Sequence, residues 1–167
     1  GTARAIRLNT NNVTLTLNNG SAGNSAALIQ ATADDAFQVN QANDSATLNN
    51  YGTINTTGAQ AIDWNAVTTG ANSLTNFSTG VITATGNDAV RPGVNGVVTN
   101  AGVIRATPVV PPGGSAPGSD GVSAETNTGV QIVNSGTIEG RAGIAGGDQP
   151  APPAVPPALV ISITNQT

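Results

Sequence analysis

The chain has 167 residues, 38% hydrophobic and only 8% charged, with a net charge of −4, five Arg, and no Lys, His or Cys. That inventory excludes a Ser-His-Asp triad, a thiol nucleophile, a lysine Schiff base and an ordinary His/Cys zinc site. It also lacks the basic surface that nucleic acid or an anionic membrane requires, and no stretch reaches the ~18 apolar residues of a membrane-spanning helix.

Read in order, the chain is a succession of short alternating segments. Ile6-Arg7-Leu8 and Val13-Thr14-Leu15-Thr16-Leu17 come first, and Asn18-Asn19-Gly20-Ser21 turns the chain. Ala27-Leu28-Ile29 leads to Ala36-Phe37, and Phe37-Gln38-Val39 alternates again. Asn50-Tyr51-Gly52-Thr53-Ile54 leads to Ala61-Ile62, and Ile62-Asp63-Trp64 repeats the alternation. A looser copy, Asn76 to Ile82, leads to Ala89-Val90; tight copies return at Asn100-Ala101-Gly102-Val103-Ile104 and Asn134-Ser135-Gly136-Thr137-Ile138. Period-two alternation marks strands with one buried face. Gly, Asn and Thr, all poor helix formers, crowd every segment.

The residue after the small one falls at Ile6, Phe37, Ile62, Val90, Val122 and Ile144, at intervals of 22 to 32 residues. Such a period predicts stacked repeats. Several short strands per repeat without crossover helices predict a parallel β-helix of five to six rungs, each about 4.8 Å above the last. One inward column is then Ile6, Phe37, Ile62, Val90, Val122 and Ile144. A second is Leu8, Val39, Trp64, Pro92, Ala124 and Gly146, and a third is Ile29, Ile54, Ile82, Ile104 and Ile138. Arg7, Gln38, Asp63, Arg91 and Ser123 are expected to face water. The Gly of Asn-x-Gly is expected at a corner with positive φ and no room for a Cβ. The Asn side chains are expected to bond one another along the axis. Cross-rung ion pairs are predicted for Arg105 with Glu139 and for Asp63 with Arg91.

Two Pro-rich runs break the period, at 107–119 and 146–157. Pro cannot join a sheet interior, so both are expected to be loops. By register a Gly and an Ile are due after Asn165, so residues 1–167 are expected to be one β-helix piece of a longer solenoid.

Tandem copies of Ile/Val-x-Asn-x-Gly-x-Ile followed by Ala-Ile resemble the passenger domains of bacterial autotransporters and other exported β-helical adhesins. The resemblance covers most of residues 27–146. It implies a right-handed parallel β-helix, exported through the outer membrane to the bacterial cell surface or released, with a C-terminal outer-membrane translocator in the full-length chain. It implies an adhesive or structural role with a host or neighbouring-cell protein or glycan as partner, and neither enzymatic activity nor a cofactor is expected.

The alternative function is a carbohydrate-binding or carbohydrate-cleaving β-helix, for which only carboxylates are left as chemistry. Asp34, Asp35, Asp88 and Asp120 fall at one corner, just before the Ala-Ile column, and are the candidate ion or glycan contacts. Asp35 and Asp88 skip a rung, with Gln60 between them. Asp also serves as a turn residue at such corners. The candidate partner-contact loops contain Pro108, Val110, Pro111, Pro112 and Pro117 in the first run. The second contains Asp148, Gln149, Pro150, Pro153 and Pro156. A third reading, an ice-binding face, is suggested by Thr14-x-Thr16 and Thr83-x-Thr85, but Asn55-Thr56-Thr57 and Arg105-Ala106-Thr107 interrupt that ladder.

Overall fold

The computed structural model describes residues 4–109, 119–146 and 161–166. Seventeen strands and no helix occur among them. The strands come in threes. The first coil is β1 (Ile6–Leu8), β2 (Thr14–Asn19) and β3 (Leu28–Ala31); the second is β4 (Phe37–Val39), β5 (Ser45–Asn50) and β6 (Thr53–Thr56). The third is β7 (Ile62–Asp63), β8 (Asn72–Asn76) and β9 (Val81–Thr85). The fourth is β10 (Val90–Arg91), β11 (Val97–Asn100) and β12 (Val103–Thr107). The fifth is β13 (Val122–Ser123), β14 (Val130–Asn134) and β15 (Thr137–Glu139), with β16 (Ile144–Ala145) and β17 (Ile161–Asn165) beyond it.

Each third strand stacks on its counterpart. The first face is β1-β4-β7-β10-β13-β16, the second β2-β5-β8-β11-β14-β17 and the third β3-β6-β9-β12-β15. Every strand pairing is parallel. The protein is therefore a parallel β-helix of about five coils. The first coil already has all three strands.

Two predicted columns pair across every coil. Ile6, Phe37, Ile62, Val90, Val122 and Ile144 stand in register on the first face. Ile29, Ile54, Ile82, Ile104 and Ile138 do so on the third. The second face contributes a column that the sequence reading misses: Leu17, Leu48, Leu74, Val98 and Ile132. Phe37 and Trp64, both fully buried, meet edge to face at 5.4 Å and fill the second and third coils. The rest of the core is Ile, Val, Leu and Ala.

Polar side chains also run through the interior. Asn19 donates from Nδ2 to Oδ1 of Asn50 at 2.8 Å, Asn50 to Asn76 at 2.8 Å, and Asn76 to Asn100 at 2.7 Å. Asn100 then donates to Asn134 at 2.8 Å and Asn134 to Asn165 at 3.1 Å. The remaining amide hydrogens go to corner carbonyls, such as those of Gly52, Gly80, Gly102 and Gly136. Each amide thus gives one hydrogen to the axis and one to the corner, so a buried group that would cost about 1–3 kcal/mol unmet is satisfied.

The glycines of Asn-x-Gly are required by contact and not by φ. Gly52, Gly102 and Gly136 are absent from the positive-φ set, which corrects the sequence expectation. A Cβ on Gly102 would lie 2.2 Å from the Gly80 carbonyl oxygen, and one on Gly136 would lie 2.2 Å from that of Gly102. The corners of successive coils approach too closely for any side chain.

Asn76→Ala would remove the acceptor of one Asn50 amide hydrogen and the donor to the Asn100 side-chain oxygen, both buried. We expect a loss of about 2–4 kcal/mol in urea unfolding. Asn49→Ala, which breaks an exposed bond to Asn18, should stay within about 0.5 kcal/mol of the parent.

Candidate functional site

The corner between the third and first faces carries the candidate carboxylates. Asp35, Gln60, Asp88 and Asp120 each stand two residues before the first-face column, so they share one axial row. Asp35 is 2% exposed, Asp88 and Asp120 are fully buried, and Asp34 is half-buried. Each carboxylate closes a backbone gap in the next coil. Asp35 Oδ1 accepts the Gln60 N–H at 3.1 Å, Asp88 Oδ1 the Asp120 N–H at 2.8 Å, and Asp120 Oδ1 the Ala142 N–H at 2.8 Å.

Their other oxygens meet arginine. Arg4 reaches Asp34 at 2.8 Å and Asp35 at 3.2 Å. Arg91 binds Asp88 through Nε and Nη2, both at 2.8 Å, and Arg141 forks onto Asp120 at 3.2 and 2.8 Å. Paired charge and planar geometry make such forked bonds the strong ones. Gln60 fills the row where a carboxylate is missing. Its amide nitrogen faces Asp35 Oδ1 at 2.7 Å and its oxygen faces both Arg91 terminal nitrogens at 3.2 Å, since the opposite orientation would set oxygen against the carboxylate. The structure brings the four predicted aspartates together, and it does so as a ladder of ion pairs and backbone caps.

The network also decides three side-chain directions that the sequence reading assigns differently. Arg91 stands beside Asp63 in register but turns to Asp88 and to Glu125, the latter at 2.9 Å, so the predicted Asp63–Arg91 pair is not made. The buried Asp88 carboxylate is three residues away on the same coil and wins. Gln38 is 7% exposed because its amide bridges Asp35 at 2.9 Å and Asp63 at 3.3 Å. Ser123 is fully buried where Arg91 reaches across to Glu125 on the next coil. Glu125 holds φ at 53°, in the left-handed region that Gly93 occupies one coil earlier at φ 79°. For a non-glycine residue this is a strained conformation. Arg105 and Glu139 do pair across adjacent coils, both about half exposed.

Burial raises the Asp35 carboxyl above its ordinary range, and the nearby Asp63 charge adds to this; the Gln60 N–H and Arg4 oppose it. No group of three or more His, Cys, Asp or Glu suited to a metal occurs among the described residues.

Of the loop candidates, Pro108 is exposed just past β12. Val110, Pro111, Pro112, Pro117, Asp148, Gln149, Pro150, Pro153 and Pro156 lie outside the described residues. Thr14 and Thr16 stand on the second face and Thr83 and Thr85 on the third, so the two Thr-x-Thr pairs do not form one surface. The sequence reading also misses a stacked aromatic pair. Tyr51 and Phe77 lie at the corner between the second and third faces, ring centroids 3.9 Å apart and 5° from parallel. The signal was present, because each occupies the x of an Asn-x-Gly or Asn-x-Ser corner.

No protein-family model, characterised protein or solved structure matches this chain.

A raised folded-state carboxyl contributes stability that is present below its unfolded value and lost as pH rises through the folded one. The stability of the parent relative to Asp35→Asn should therefore fall as pH rises from about 3.8. Denaturant unfolding across that range would show it, and a difference that grows with pH would contradict it. Asp88→Ala removes the carboxylate that accepts the Asp120 N–H and leaves Arg91 with Glu125, and should cost about 2–4 kcal/mol. Glu139→Ala, at the exposed pair, should cost no more than about 1 kcal/mol.

Proposed function

We propose that this chain is a rigid, non-enzymatic stalk segment of an exported, surface-displayed bacterial protein of the autotransporter-passenger kind, with Pro-rich loops that contact a host or neighbouring cell. The observation that carries the reading is the asparagine row, continuous from Asn19 to Asn165. It ties every coil to the next and suits a rod that must hold a fixed shape. The corner carboxylates support the same reading, since their oxygens are engaged by arginine and backbone N–H groups. A chain without Cys is compatible with secretion in an unfolded state that must not cross-link. The bacterial surface, the outer-membrane translocator and the adhesive role follow from the Asn-x-Gly-x-Ile resemblance.

Contact is assigned to the loops because the coil residues are committed to packing, whereas loops on a rigid scaffold vary freely. Pro lowers the entropy lost when a partner fixes them. Deleting 110–118 and 147–157, each closed with two or three residues, should shift the melting temperature by less than about 4 °C. Adhesion of cells that display the parent protein should be lost. Adhesion that survives the deletion would contradict the loop assignment.

A further inference from the structure

The charges of this molecule are segregated. Every described charged side chain lies on the first face, at its flanking corners or on the third face; none stands on the outward surface of the second face. That surface alternates with the Leu17–Ile132 column beneath it and presents mostly hydroxyls and amides in register, with Val97 and Val133 among them. Thr16, Thr47 and Ser73 form one column and Asn49, Thr75 and Thr99 part of the next. At its edge stands the Tyr51–Phe77 stack. Ala101 follows Phe77 in that corner row, as the backbone bonds from Phe77 to Asn50 and from Ala101 to Asn76 require. Phe77 is thus between Tyr51 and Ala101 in the row, while Gly20, which has no side chain, precedes Tyr51 in it.

We propose that the second face, with the Tyr51–Phe77 corner, is a binding surface for an extended, uncharged polysaccharide. The aromatic ring face is electron-rich, and the C–H bonds of a pyranose present the complementary positive edge. Hydroxyls and amides both donate and accept, so they exchange hydrogen bonds with sugar hydroxyls in either sense. A charge-free surface offers an acidic polymer no counter-charge. Size decides against a second copy of the chain. Six strands at ~4.8 Å and five residues at ~3.3 Å give a surface of roughly 475 Å². A stable protein interface needs about 800 Å² from each partner. A linear sugar chain needs less, and the rigid coil stack has little freedom left to lose on binding. The proposal deepens the adhesive reading by naming a partner class, and none of the residues it rests on is among those deleted.

The test is calorimetric titration of the purified protein with cellohexaose, maltohexaose and mannohexaose, with hexagalacturonate as the acidic control. At least one neutral hexaose should bind and the acidic one should not. Phe77→Ala and the double variant Thr47→Lys, Thr75→Lys should each weaken binding by about tenfold or more. The lysine variant changes only outward positions, so its melting curve should match that of the parent and keep the result interpretable. No binding of any neutral hexaose at millimolar protein and sugar, or binding unchanged in both variants, would overturn the proposal. Concentration-dependent dimerisation that the lysine variant abolishes, without sugar binding, would instead assign the face to a second copy. Cell adhesion lost with the loops while these sugars never bind would leave the adhesive reading standing and this one rejected.

Discussion

Everything in this molecule depends on axial hydrogen bonding between coils. Parallel strands supply the backbone part, and the buried asparagines supply a side-chain part with the same direction and spacing. An amide has a donor at one end and an acceptor at the other, so a row of them closes on itself along a stack only when each coil is in register. A shift of one residue would put Asn76 on the surface and Phe77 against the core. It would also leave the Asn50 and Asn100 amides unmet in a dry interior. The row therefore acts against misregister as well as for cohesion. Glycine at the neighbouring corner has the complementary task, since the carbonyl of the coil below lies where a Cβ would be.

The charged corner repeats the same logic in a different chemistry. There a carboxylate caps the N–H of the next coil with one oxygen and takes an arginine with the other. Three of the five arginines are drawn to this row. Between Asp35 and Asp120, Gln60 marks the one coil where the acid is replaced, and its amide still links Asp35 to Arg91. Burial makes the aspartates costly as ions unless paired, so the pairing holds the corner closed. Together the two rows fix two edges of the prism and leave the flat faces between them free.

Much of the fold was legible because the inward residues of the first and third faces are β-branched or aromatic and recur at a regular interval. Ile62 and Val90, or Ile54 and Ile82, announce their own register. The second face was not, because its strands read Ser45-Ala46-Thr47-Leu48-Asn49-Asn50 and Asn72-Ser73-Leu74-Thr75-Asn76. One large apolar residue in each of these two strands, among hydroxyls and amides, falls below any periodic signal. The positions of Asp35, Asp88 and Asp120 were legible, because register alone places them. Their chemistry was not, since whether Arg91 turns to Asp63, Asp88 or Glu125 depends on the local shape of the corner. The tight corner at Gly52 was foreseen for the right residue and half the right reason, because φ cannot be read from a glycine that is required by contact.

The most direct measurement is side-chain amide NMR of Asn50, Asn76 and Asn100. The account predicts slowly exchanging Nδ2 hydrogens, with cross-relaxation running from Asn50 to Asn76 and from Asn76 to Asn100, residues that are 26 and 24 apart in sequence. Side-chain amides that exchange as freely as those of an unfolded peptide, or that show no contact with one another, would contradict the stacked register on which the rest of the structure is built.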